Sequence, residues 1–148
     1  MLDVKTVKIA QSYWFLGLAQ VVHSMEESYT GLYAYFKPMS EALHQYFPLI
    51  PIFGISADLF AVLNYLMIAL ILGSVPTAEK GSRWGFYFMW GWAIIELLNG
   101  LFHIGAWLLL HHYFPGGISG PILFVLSIIF IQQLMSAASK KEATQVSQ

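Results

Sequence analysis

Residues 84–111 read WGFYFMWGWAIIELLNGLFHIGAWLLLH, and this stretch decides the fold. It is apolar and aromatic almost throughout, and Glu96 is its one formally charged residue. An α-helix rises about 1.5 Å per residue, so about 20 such residues are enough to cross the hydrocarbon core of a bilayer. The stretch therefore predicts a long transmembrane helix that starts near Trp84 and ends near His111.

The composition of the whole chain agrees with this interpretation. Hydrophobic residues make up 57% of the 148 positions and charged residues 10%. Soluble domains carry about 25% charged residues. We therefore predict an all-α fold, a four-helix transmembrane bundle that forms a single membrane domain over residues 1–148. Its spans are predicted at about 9–33, 52–75, 84–111 and 118–137.

The remaining segments are polar or interrupted by proline. A short interfacial helix is predicted over residues 38–47, because prolines at positions 38 and 48 bracket a segment with one apolar side. The polar C-terminal segment, residues 139–148, is predicted to be disordered.

The charged residues indicate an orientation and narrow the function classes. Six of the seven basic residues lie on one side of the predicted spans, and only Lys37 lies on the other. Because cytoplasmic loops are rich in Lys and Arg, both termini are predicted to be cytoplasmic. A net charge of −1 gives no sign of a nucleic-acid partner. The chain has no cysteine, which excludes disulfides, thiolate metal sites and a cysteine nucleophile.

Acidic residues lie inside the predicted spans, where an ionised side chain is unfavourable. Four of the eight acids are placed there, namely Glu26, Glu27, Asp58 and Glu96. Ionisable residues within a membrane usually face the bundle interior or a wet cavity and mark a functional site.

The polar residues of three predicted spans lie at similar depth. Counting the rise from the inner ends places His23 about 21 Å in and Glu27 about 27 Å in, while Glu96 lies about 18 Å and His103 about 28 Å in. His23 and Glu27 share one face of their helix, and Asp58 lies about 9 Å from the outer end of the second span. The sequence therefore predicts one shared polar site, mainly between the first and third spans.

A divalent metal, zinc or iron, is the predicted cofactor of this site, as one ion or two. Neutral imidazole together with carboxylates suits these metals, and ligands at i and i+4 of a helix can reach one ion. The candidate ligands are His23, Glu26, Glu27, Glu96 and His103. The residues leave open which of the two adjacent glutamates binds the metal.

Other polar residues are predicted to assist the ligands. Tyr113 would hold them in place, and Asp58 would either do the same or bind the ion itself. Asn99 would donate a hydrogen bond to the substrate. Glu26, Glu27 and Asn99 are the candidate catalytic residues.

Three short motifs occur in order along the chain. They are HSMEE at 23–27, NGLFH at 99–103 and YFPG at 113–116, which fit the patterns H-x-x-E-E, N-x-x-x-H and Y-x-P-G. This ordered set resembles the HXXEE family of small bacterial and archaeal integral membrane proteins. The resemblance implies a bacterial or archaeal inner membrane as the location, and it implies that the motif residues act together. It supplies no reaction.

Three functions remain open from the sequence. The first is a membrane-embedded metal-dependent enzyme acting on a lipid or another hydrophobic small molecule, a hydrolase if the ion is zinc and an oxidoreductase if it is iron. The second is a metal-free acid/base isomerase or a protein that binds a hydrophobic ligand. The third is an accessory subunit of a larger membrane complex, and a homo-oligomer is also expected. A purely structural network of hydrogen bonds between helices is the non-functional alternative.

Overall fold

The computed structural model describes the backbone of residues 4–146 and the side chains of residues 8–139. All regular structure within these residues is helical, as predicted. The helices are α1 (Val4–Thr30), α2 (Phe36–Tyr46), α3 (Ala57–Glu79), α4 (Arg83–Leu110) and α5 (Ser119–Val146). A single 3-10 turn over Leu32–Tyr35 leads from α1 into α2.

Three helices in the described part of the chain are long and apolar enough to cross a membrane. They are Ala57–Glu79, Arg83–Leu110 and the first part of α5, Ser119–Ser139. The prediction of four such helices is therefore wrong for α1. Gln11, Gln20, His23 and the two glutamates lower the mean hydropathy of α1, although its length is sufficient.

The helix boundaries follow local signals in the sequence. Ser56 and Ser82 begin α3 and α4, since each side chain accepts a hydrogen bond from the backbone N–H three residues later. α4 ends at His111, whose positive φ of 53° stops the helix. α5 continues to Val146, past position 139 where the disordered tail was predicted to start, and residues 147–148 of that tail lie outside the described residues.

The buried face of α1 changes character along the helix. α1 packs along α3 and α5 and meets α4 over a short stretch. Its buried positions follow the spacing of a helix packed against others, and within residues 8–30 they are Ala10, Tyr13, Leu16, Gly17, Gln20, His23, Ser24 and Glu27. The first half of this face therefore joins an apolar core, whereas the second half brings polar side chains into the interior.

Glycine allows α4 and α5 to approach closely at the level of the polar residues. A Cβ atom on Gly100 would lie 2.6 Å from the carbonyl oxygen of Gly120 and 2.7 Å from the backbone nitrogen of Phe124. Both obstacles are backbone atoms, so they cannot move aside as a flexible side chain would. The contact places His103, three residues after Gly100, directly against α5.

We expect Gly100→Ala to lower the free energy of unfolding by about 1 kcal/mol, because a clash of about 2 kcal/mol outweighs the gain of about 1 kcal/mol in helix propensity. Gly105→Ala is the matched control, since a Cβ there would meet no described atom within 4 Å. The control should be neutral or slightly stabilising. Denaturant unfolding in micelles measures both, and equal stability of the two variants would contradict the close approach.

Candidate metal centre

Two histidines and one glutamate converge in the interior of the bundle. The Nε2 atom of His23 lies 3.2 Å from Oε1 of Glu27, and the Nε2 atom of His103 lies 3.0 Å from the same oxygen. Each residue offers one ligand atom, and these atoms all lie within 4.8 Å of one another. The group formed by His23, Glu27 and His103 could therefore hold a metal ion.

Helix geometry explains how this group assembles. His23 and Glu27 are one turn apart on the buried face of α1, so their side chains point to the same place. His103 arrives from α4, and its imidazole ring meets that of His23 edge to face with centroids 4.6 Å apart. Both histidines are fully buried and Glu27 is 5% exposed. The group thus lies between α1 and α4, as the depth count predicted.

Glu26 has a different environment from its neighbour Glu27. Its carboxylate accepts hydrogen bonds from the Tyr113 hydroxyl at 2.6 Å, the Ile118 N–H at 3.0 Å and the Ser119 N–H at 2.7 Å. The Ser119 hydroxyl donates a fourth hydrogen bond to it. A carboxylate is favourable at a helix N-terminus, where backbone N–H groups lack partners within the helix. Glu26 therefore joins the end of α1 to the start of α5.

The loop between α4 and α5 covers the group. Phe114 is 1% exposed, and its ring centroid lies 5.7 Å from that of His103. Gly116 has a positive φ of 81° and lies against both imidazole rings. Tyr113 is more exposed than Phe114. Its partial burial and its hydrogen bond to the Glu26 carboxylate raise the pKa of its phenol.

Ser119 is a residue of the site that sequence reasoning missed. Its Oγ lies 2.7 Å from Nδ1 of His23, on the side of the ring that faces away from Glu27. A serine immediately before the apolar run of α5 is a helix-start signal, and this signal could have placed it at an N-terminus. It could not have shown that the N-terminus meets His23.

A second buried network lies beside His23 and joins α1 to α3. Gln20 donates a hydrogen bond to Ser24 at 3.0 Å, and the Ser24 hydroxyl donates to Oδ1 of Asn64 at 2.8 Å. Such hydrogen bonds hold membrane helices together. Part of the polar content of α1 is therefore explained by packing against α3.

Three other predicted site residues do not belong to the group of converging ligand atoms. Glu96 is fully buried, and its Oε2 is 3.5 Å from the side-chain nitrogen of Asn99. Among the side chains of residues 8–139, it does not belong to the group whose ligand atoms lie within 4.8 Å of one another. Asp58 is exposed in the first turn of α3, a favourable place for a carboxylate. The functional roles of Glu96, Asn99 and Asp58 stay predictions.

The fold and the group together define a small all-α protein with membrane-length helices and a buried cluster of two histidines and a glutamate. The chain matches the family described as "Protein of unknown function with HXXEE motif" over residues 14–131. The match covers more than half of the chain, so the protein belongs to this family, and the resemblance drawn from its motifs is confirmed. No curated protein and no solved structure shows significant similarity to the chain.

Proposed function

We propose that the protein is a membrane-embedded metal-dependent enzyme that acts on a lipid or another hydrophobic small molecule. The observation that carries the proposal is the convergence of two buried imidazole nitrogens on one carboxylate oxygen. Two neutral imidazoles and a carboxylate are a common ligand set for zinc and for iron. A bundle interior that holds such a set is a functional site by default.

The hydrogen bonding of the group favours a bound cation. Within residues 8–139, Nε2 of His23 makes no hydrogen bond despite its 3.2 Å contact with Glu27, and Nδ1 of His103 has no hydrogen-bond partner. Buried polar nitrogens without partners are unfavourable by about 1–3 kcal/mol each. A metal ion at Nε2 of His23 would remove one of these deficits and neutralise the carboxylate of Glu27.

The chemistry follows from the surroundings of the ligands. A bound zinc ion supplies Lewis acidity and a nucleophilic water at neutral pH, whereas iron supplies redox chemistry. His23, Glu27 and His103 would hold the ion, and Phe114 would keep bulk water away from it. Long apolar helices surround the site, which favours a substrate that arrives from the lipid. In this proposal the membrane is a bacterial or archaeal inner membrane.

One observation favours a second function without metal. The 3.0 Å contact between His103 and Glu27 also fits a hydrogen bond that orients an imidazole for proton transfer. An acid/base isomerase acting on a hydrophobic substrate would use it. Metal content separates the two functions.

We expect the purified protein to carry about one equivalent of zinc or iron, and His23→Ala/His103→Ala to carry none. Elemental analysis after purification without chelator measures this. The matched control is His44→Ala/His112→Ala, which removes the same number of histidines from positions outside the group. It should keep the metal of the wild type.

Absence of metal from the wild type after resupply of zinc and of iron would contradict the metalloenzyme and leave the acid/base function. If metal is present, the metal-loaded protein is incubated in vesicles made from bacterial total lipid, and mass spectrometry compares products with those of the double histidine variant. Product formation that depends on His23 and His103 would establish a lipid substrate.

A further inference from the structure

The hydrogen bonds around Ser119 specify where the proton of His23 lies. Ser119 is the first residue of α5, and its side chain lies between two residues of α1. Its hydroxyl donates to Oε2 of Glu26. Its oxygen lies 2.7 Å from Nδ1 of His23. The three side chains form a continuous chain from the carboxylate to the imidazole.

A count of protons fixes the direction of each hydrogen bond. A hydroxyl has one proton, and an ionised carboxylate can only accept. Because the Ser119 proton is used on Glu26, the Ser119 oxygen must accept its other hydrogen bond. The Nδ1 atom of His23 is therefore the donor and carries the proton. A neutral imidazole has one N–H, so Nε2 of His23 is left with its lone pair.

We infer that Ser119 and Glu26 are positioning residues that hold His23 as the Nδ1–H tautomer and present its Nε2 as the metal ligand. The consequence for metal binding rests on the proposed function, whereas the tautomer itself does not. A ligating histidine generally donates its other ring N–H to an oxygen acceptor, which orients the ring and strengthens it as a ligand. Here the acceptor is a serine that is itself fixed by a carboxylate.

The surroundings keep this chain of hydrogen bonds in one arrangement. The Glu26 carboxylate is held by three further donors, namely the Tyr113 hydroxyl and the backbone N–H groups of Ile118 and Ser119. The carboxylate therefore cannot turn away from the Ser119 hydroxyl without losing several hydrogen bonds. Glu26 therefore has two roles. It accepts hydrogen bonds from the backbone N–H groups at the start of α5, and it holds the Ser119 hydroxyl in place.

His103 provides a comparison within the same molecule. Its Nε2 faces Glu27 at 3.0 Å, but no described side chain or backbone atom accepts a hydrogen bond from its Nδ1. Among the described residues, Nδ1 of His23 thus has a hydrogen-bond acceptor, and Nδ1 of His103 does not. A change at Ser119 should alter the tautomer of His23 and leave that of His103 as it is.

The tautomer can be measured directly in metal-free protein. Histidine labelled with ¹⁵N is observed by long-range ¹H–¹⁵N correlation in micelles at mildly alkaline pH, and the ¹⁵N shifts report which ring nitrogen carries the proton. We expect His23 to carry its proton on Nδ1 in the wild type and to lose this preference in Ser119→Ala. Ser127→Ala is the matched control, a fully buried serine two turns further along α5. The Nε2–H form in the wild type, or an unchanged tautomer in Ser119→Ala, would overturn the inference.

Zinc titration then tests the consequence for binding. Ser119→Ala should weaken zinc binding about 10- to 100-fold, the usual effect of removing the support of a ligating histidine, while Ser127→Ala should bind as the wild type does. Unchanged affinity in Ser119→Ala would overturn the positioning role. If His23 shows the Nδ1–H form but the wild type binds neither zinc nor iron, the tautomer stands and the proposed function falls. Metal binding with the opposite tautomer overturns only this inference.

Discussion

Glu27→Gln is expected to abolish metal binding, whereas Glu26→Gln is expected to leave the metal in place and to weaken the fold. The two glutamates are adjacent in sequence, and the structure gives them separate environments. Oε1 of Glu27 faces two imidazole nitrogens within 3.2 Å. Both oxygens of Glu26 are occupied by donors from the start of α5 and the loop before it.

The expected loss at Glu27 follows from charge and from ligand number. A glutamine keeps the size of the side chain but removes the negative charge that offsets the charge of the cation in a low-dielectric interior. Affinity should fall by more than about 100-fold, the upper figure for changes that affect only the support of a ligand. Zinc titration of purified apoprotein measures the effect, with circular dichroism confirming that the helices remain.

The expected effect at Glu26 is on stability. A carboxylate accepts all four hydrogen bonds, whereas a carboxamide offers one oxygen and brings an NH₂ group that faces donors. Hydrogen bonds to charged groups contribute about 1.5–3 kcal/mol each when buried, and Glu26 is only partly buried. We therefore expect the free energy of unfolding to fall by about 2 kcal/mol. Glu41→Gln is the control, because its only ion pair in the described structure is an exposed contact of 4.0 Å with Lys37.

A reversed pattern would contradict the site as described. Loss of metal in Glu26→Gln with full binding in Glu27→Gln would mean that the first glutamate is the ligand. Some loss of affinity in Glu26→Gln is compatible with its positioning role through Ser119. The loss of affinity in Glu26→Gln should stay within about 100-fold and be smaller than the loss in Glu27→Gln.

Helical regularity explains how much of this site could be predicted from the sequence. The rise per residue places Glu27 and His103 at nearly the same depth, and the angular spacing puts His23 on the face of Glu27. These quantities depend only on the backbone of one helix at a time. They hold whenever the helices are long and regular, as α1 and α4 are.

The parts that could not be predicted depend on the path of the chain between helices. Glu26 and Glu27 are about 100° apart around α1, so both were candidates for the interior. The choice between them is made by the loop after α4, which brings the N-terminus of α5 to Glu26. The periodicity of α1 does not predict the path of that loop.

The number of helices that are long and apolar enough to cross a membrane also depends on contacts between helices. The length of α1 and the apolar residues that flank its polar ones predict a span. Its polar residues, such as Gln20 and His23, are buried against α3, α4 and α5. These side chains lower the mean hydropathy of α1. The partners that satisfy them lie on other helices, so the sequence of α1 alone does not show them.

Gly116→Ala is expected to destabilise the protein by about 2–5 kcal/mol and to remove the metal. Gly116 adopts a φ of 81°, which disfavours a residue with a Cβ by about 1–2 kcal/mol. A Cβ there would also lie 2.5 Å from Cε1 of His103 and 2.9 Å from Cε1 of His23. Overpacking of this kind contributes about 1–3 kcal/mol more. Since the two rings would have to move apart, their nitrogens would no longer converge on Glu27.

Gly31→Ala separates the two causes. Gly31 has a φ of 78°, and an added Cβ would meet only the Tyr33 side chain, at an ordinary 3.8 Å. This variant carries the same backbone strain without the contact with the histidines, so it should lose about 1–2 kcal/mol and bind metal normally. Denaturant unfolding and zinc titration measure the stability and the zinc affinity of both variants. The difference between the variants is the effect of the contact between the Gly116 position and the two imidazole rings. Equal stability and equal zinc affinity in the two variants would mean that the loop does not press on the imidazoles, and the Y-x-P-G segment would then be a turn with no part in the site.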